Sequence, residues 1–134
     1  MILLDTSLII AYSNKADMQH KRAVHVFDDI DSGMYGTPAI TDYIFDEVVT
    51  VMLARTKNFK TVVQTGEKLL ASTLFFKLDS EIFGLSWDIF KAQEKMRLSF
   101  TDCSILATCR VNRINTIATF DKALNEESKL EVVD

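Results

Sequence analysis

Apolar residues come in short bursts separated by polar punctuation, and the punctuation repeats a pattern. Ile2-Leu3-Leu4 is a fully apolar run that ends at Asp5. Thr6-Ser7 follow, then Leu8-Ile9-Ile10-Ala11. A buried strand that stops at a carboxylate and passes straight into a helix reads this way. Near the other end, 115–119 has the same form and is closed by Phe120 and Asp121. Along the chain the periodicity predicts helices over 7–13, 17–31, 41–55, 59–72, 81–96, 101–112 and 122–126. In 17–31 the apolar face is set by Val24, Phe27 and Ile30, and in 81–96 by Ile82, Leu85, Ile89 and Met96. Strands are predicted over 2–5, 34–39 (stopped by Pro38), 74–78, 115–119 and 130–133. Strands alternating with helices point to an α/β fold, a three-layer α/β/α sandwich around a mainly parallel sheet with right-handed crossovers.

Composition narrows the class. The 134 residues suit one domain, 1–134, and 48% apolar with 25% charged residues is ordinary for a globule with a real core. No apolar stretch approaches a membrane span, and Met1 leads directly into the first strand, so a cytoplasmic protein without a targeting peptide or membrane association is expected. The net charge of −4 gives no overall basic footprint for nucleic acid. Positive charge is instead local: Arg55 with Lys57 and Lys60, Lys91 with Lys95 and Arg97, and Arg110 with Arg113. Cys103 and Cys109 lie six apart in one predicted helix with no nearby histidine, which fits two small buried hydrophobes rather than a disulfide or zinc site. His20 and His25 read as surface residues of a polar helix, and the Phe-rich strand 74–78 as core.

Four acids stand out against this frame. Asp5 and Asp121 end strands, and in a parallel sheet such positions share one edge, where ligands bind. Ile44, Val48, Val51 and Met52 define a buried helical stripe, and Glu47 lies on it, three after Ile44 and four before Val51; Asp42 and Asp46 lie on the solvated side. Asp102 starts the line continued by Ile105, Leu106 and Cys109. Each aspartate alone reads as a helix cap, and Ser99-Phe100-Thr101-Asp102 fits a capping box. Together, with Glu47 core-facing and uncapped, they read as a site. Two carboxylates about 4 Å apart repel by roughly 4 kcal/mol at a surface-like dielectric, so a shared pocket calls for a counter-charge. A hard divalent cation with oxygen ligands, Mg²⁺ or Mn²⁺, meets that need and leaves positions open for a phosphate.

The chain resembles the PIN-domain ribonucleases, close to the VapC-type toxins of prokaryotic toxin–antitoxin pairs. The resemblance is carried by Leu3-Leu4-Asp5-Thr6-Ser7, by Thr41 through Glu47 into Val48-Val49, by Leu98 through Ala107, and by Ile117-Ala118-Thr119-Phe120-Asp121. It departs at Cys103, where the family often has alanine, and at Lys122-Ala123-Leu124, where many members carry a further polar or acidic residue and an aromatic. The resemblance implies sheet order 3-2-1-4-5 and metal-binding, catalytic roles for Asp5, Glu47, Asp102 and Asp121, with Thr6 and Thr119 in support. It further implies Mg²⁺- or Mn²⁺-dependent hydrolysis of RNA, a homodimer and an antitoxin partner. RNA processing and a catalytically silent PIN scaffold are the alternatives. An aspartyl-phosphate phosphatase would want Asp-x-Asp where Asp5-Thr6-Ser7 stands, and a receiver domain an acidic pair after the first strand.

Overall fold

The computed structural model describes residues 1–95 and 97–134. Five strands alternate with helices in the order β1 (Ile2–Leu4), α1 (Thr6–Ser13), α2 (His20–Asp31), β2 (Pro38–Thr41), α3 (Asp42–Thr56), α4 (Phe59–Ser72), β3 (Leu74–Phe76), α5 (Ser80–Lys91), α6 (Phe100–Asn112), β4 (Thr116–Ala118), α7 (Lys122–Ser128) and β5 (Glu131–Val133). The sheet is wholly parallel in the order β3-β2-β1-β4-β5, the expected order within the expected α/β/α sandwich. Strand β1 is central because all three of its residues are apolar and fully buried, as a strand covered on both faces requires. Ile2 pairs with Pro38 on one side and Thr116 on the other.

The topology places the functional edge. From β1 the chain steps outward through β2 to β3, then returns to the opposite side of β1 for β4 and β5. The carboxyl ends of β1 and β4 therefore flank the point where the winding direction reverses, the usual crevice for ligands in an open parallel sheet. Asp5 follows one of these strands and Thr119 the other. A backbone bond from Asp5 N–H to the Ala118 carbonyl, 2.9 Å, extends the β1–β4 pairing to that edge.

The core joins the sheet to α1, α3 and α6. Ile40, Ile44, Val48, Ile105, Ile117 and Leu124 are among its largest fully buried side chains. Helix α6 is buried continuously from Cys103 to Cys109, and its two interior hydroxyls bond carbonyls of their own helix: Ser104 to Thr101 and Thr108 to Ser104, each 2.7 Å. Burial of those polar groups is thereby compensated. Both cysteines are free and buried; desolvation pushes Cys103 up to about 11, with Asp102 adding to it, and Cys109 up to about 12, so both stay protonated.

Several predicted boundaries move. The strand expected over 34–39 lies at Pro38–Thr41, and Pro38 opens it rather than stopping it. Gly33 and Gly36 take φ of +84° and +72°, which breaks the extended run before Pro38; a Cβ on Gly36 would also meet the Met1 backbone nitrogen at 3.0 Å. Helix α2 starts at His20, not 17, and its buried line is Ala23, Val26 and Ile30, so Val24 sits beside that line instead of on it. Helix α5 ends at Lys91; Gln93 then clamps Leu98 through both its backbone groups, at 2.7 and 3.1 Å, and Met96 lies outside the described residues. His25 is exposed, while His20 is half-buried with Nδ1 2.9 Å from the Ala11 carbonyl. On α3, Asp46 is exposed as expected, but Asp42 accepts from the Leu78 N–H at 3.2 Å and so ties down the loop after β3. Among the described residues no helix is long and apolar enough to cross a membrane.

Candidate active site

Asp5 is 4% exposed, and its carboxylate is the N-cap of α1. It accepts from the Thr6 and Ser7 N–H groups at 2.7 and 3.3 Å, from Ser7 Oγ at 2.5 Å and from Thr119 Oγ1 at 2.7 Å. Four donors offset the desolvation of a buried carboxylate. They also fix its orientation, because two are backbone groups at a helix start, where N–H groups lack partners within the helix.

The hydroxyls bind β1 to β4. Thr119 is fully buried; it donates to Asp5 and accepts from the Asp121 N–H at 2.9 Å. Ser7 Oγ accepts from the Phe120 N–H at 2.9 Å while donating to Asp5. Thr6 Oγ1 donates to Glu47 Oε2 at 2.6 Å, which joins α1 to α3. Thr119 and Thr6, the two hydroxyls the resemblance singled out, therefore each hydrogen-bond an acid of the set. Ser7 does as much, although the sequence marked it only as part of a motif. Its sole sequence signal was a hydroxyl two residues after a strand-end acid.

Asp102 and Asp121 complete the set. Asp102 is the third residue of α6 and closes a full capping box: its Oδ2 accepts from Ser99 N–H at 2.7 Å, and Ser99 Oγ accepts from Asp102 N–H at 3.1 Å. Burial raises its pKa to about 6; the bonds from Ser99 oppose the rise, and the nearby charges of Asp5 and Asp121 add to it. Asp121 caps α7 by accepting from the Leu124 N–H at 2.9 Å. For all three aspartates, then, the helix-cap reading holds.

Asp5, Glu47, Asp102 and Asp121 line one open cavity of about 510 Å³, together with Thr6, Ser7, Asp17, Arg55 and Arg97. The spatial convergence of the four acids is thus present. None of them forms a salt bridge among the described residues; Arg97 is directed to Glu126 and Glu127 instead. The basic clusters divide. Arg55 reaches this cavity and Lys57 caps the end of α3, while Lys91 pairs with Asp88 and lies over Trp87. Asp17 on the cavity wall had no local pattern to reveal it, and Arg97 stood out only as one of a local group of cations.

The donor set suits a hard cation, since it consists of carboxylate and hydroxyl oxygens. Among the described residues, however, no group of three or more His, Cys, Asp or Glu side chains could hold a metal ion by itself. A Mg²⁺ ion held by one or two carboxylates, with waters completing its shell, suits that openness better than an all-protein cage.

A family model for the PIN domain matches residues 2–129. Among solved structures, VapC20 of Mycobacterium tuberculosis, a sarcin-ricin loop cleaving toxin, superimposes with a TM-score of 0.87 at 18% identity, covering 100% of both chains. A toxin–antitoxin complex from Klebsiella pneumoniae gives 0.71 at 19% identity, covering 100% of this chain and 97% of the other. FitAcB from Neisseria gonorrhoeae gives 0.69 at 21% identity, with the same coverages. A search of curated protein sequences finds no match.

Proposed function

The chain belongs to the PIN-domain family, and from that premise we propose that it is a metal-dependent endoribonuclease, the toxin of a toxin–antitoxin pair. The observation that carries the proposal is the cavity itself: four acids from four separate segments face one space, and none has a protein cation as a partner among the described residues. Structural similarity to a toxin that cleaves the sarcin-ricin loop supports RNA as the substrate class.

Asp5, Glu47, Asp102 and Asp121 would hold one or two Mg²⁺ or Mn²⁺ ions. A metal bound there supplies Lewis acidity toward water and phosphate. The protein's own part is positioning. Thr6, Ser7 and Thr119 keep the Asp5 and Glu47 carboxylates in place, at bond lengths of 2.5–2.7 Å. Glu47 turns one oxygen to Thr6, which leaves the other to orient an attacking water. Asp102, with its raised pKa, takes full charge only above about pH 6 or beside a cation.

The toxin reading brings two partners: an antitoxin whose basic side chain would compete with metal for the acidic cavity, and a second copy of the chain as homodimer. Similarity to toxin–antitoxin complexes supports the first. Among the described residues no three-residue metal group is preformed, which suits one rival, a PIN scaffold that binds RNA or protein without cleaving it. Cleavage of a labelled RNA with Mg²⁺ or Mn²⁺ separates the two. Activity is expected to vanish with EDTA and to fall about 10²–10³-fold in Asp5→Asn. Full-rate cleavage by Asp5→Asn in excess EDTA would falsify the nuclease assignment. Calorimetric titration of Mn²⁺ into wild type and Asp102→Asn tests the scaffold reading, which requires no heat of binding in either.

A further inference from the structure

A second cavity, of about 490 Å³, adjoins the acidic one, and Arg97 belongs to the wall of both. It lies where the chain beyond α5 meets α6 and the end of α7. Four cations, Lys95, Arg97, Arg110 and Lys129, line it against two acids, Glu94 and Glu127, so its wall is net positive. In a chain of net charge −4, that is a local reversal of sign. Leu98 and Leu106, both buried, form part of its floor. Among the described residues Lys95, Arg110 and Lys129 make no salt bridge. Arg97 donates to Glu126 at 2.6 Å and stands 3.7 Å from Glu127, but these side chains are well exposed, so solvent weakens the pairs.

We infer that this basic cavity is the track for RNA flanking the cleavage point: the strand passes Arg97 on leaving the acidic cavity and lays its phosphates on Arg110, Lys129 and Lys95. The inference rests on the nuclease reading and adds the substrate's path to it. An acidic pocket repels a polyanion, so the attraction that delivers RNA must come from neighbouring charge. The shared Arg97 makes the basic wall continuous with the acids. That continuity favours a strand entering the cleavage site over an acidic protein segment docking elsewhere.

The test uses Arg110→Glu with Lys129→Glu in the full chain. In the Asp5→Asn background, binding of a labelled single-stranded RNA is followed by anisotropy across a salt series. The double variant is expected to bind at least about tenfold more weakly, and the slope of log affinity against log salt is expected to shrink by about 1.4, the share of two phosphates on a single strand. With Asp5 intact, the advantage of long RNA over a dinucleotide in kcat/KM should fall at least tenfold, mainly through KM. The neutral pair Arg110→Gln with Lys129→Gln should give an intermediate loss, and an unchanged thermal midpoint shows that the fold survives. An unaltered salt slope together with an unaltered length advantage overturns the inference. So does loss of binding to polyglutamate with RNA binding intact, which would assign the cavity to an acidic polypeptide. If the intact chain binds RNA in a manner dependent on these cations yet never cleaves it, the track stands and the nuclease reading falls.

Discussion

The two adjoining cavities are nearly equal in size and opposite in charge, and they are built differently. In the acidic one every aspartate is held by backbone amides: Asp5 and Asp121 cap α1 and α7, and Asp102 closes the capping box of α6. Glu47 is held by the Thr6 hydroxyl. In the basic one, Lys95, Arg110 and Lys129 are long side chains with no carboxylate partner among the described residues. Short acids anchored to helix starts can hold a reacting group in register, whereas long cations that sample many rotamers can follow a flexible polyanion. On the nuclease proposal, the contrast separates the part of the molecule that positions from the part that attracts.

If the acids are held by their network, the largest effect should come from cutting its centre. Thr119→Val removes a donor to Asp5 and the acceptor of the Asp121 N–H, both in buried surroundings. It is expected to cost about 1–3 kcal/mol in urea unfolding, and to lower the cleavage rate more than it raises KM. A variant as stable and active as wild type would show that the network does not position Asp5.

A smaller effect, of opposite sign, is expected at Asp102. Its carboxyl binds a proton more tightly folded, with a pKa of about 6, than unfolded, near 3.8. Between those values folding takes up a proton, so stability falls as pH rises through the window and stays reduced above it. After discounting for solvent screening of this half-buried group, the penalty is about 1–2 kcal/mol. Asp102→Asn should therefore unfold at higher urea concentration than wild type at pH 8 in EDTA, and the gain should disappear near pH 4. A gain that is the same at both pH values would point to capping rather than charge as its source.

Smallest in affinity is the effect expected at the boundary between the two kinds of surface. Arg55 lines the acidic cavity from α3. Arg55→Glu should flatten the salt dependence of RNA binding by about 0.7, one phosphate on a single strand. Lys57→Glu, whose site caps α3 away from the cavity, should change it less. Equal slopes for the two variants would mean that the RNA path does not cross α3.

Much of the site could be read from the chain because its acids occupy positions with strong local meaning. Asp5 and Asp121 follow strand-like runs, Ser99 to Asp102 spell a capping box, and Glu47 interrupts an apolar helical stripe. Other residues gave no such signal. Ser7 matters through a bond to Phe120, more than a hundred positions away, and Arg97 through a bend held by Gln93. Asp42 read as solvated because helical periodicity says nothing of the Leu78 N–H that meets it. The second strand was misplaced because its apolar content begins before the chain is free to extend: two glycines with positive φ hold the preceding segment in turns.

From the residues alone came the order of strands and helices, the caps that start α1, α6 and α7, and the apolar faces that bury α3 and α6, since these depend on contacts a few positions apart. The tertiary structure decided which strands lie side by side, how near the four acids stand to one another, the proton affinity of Asp102, and the placing of Arg97 between two cavities of opposite charge. Those properties depend on pairing and packing between distant segments, and burial and charge at a point in space are sums over everything that folding brings there.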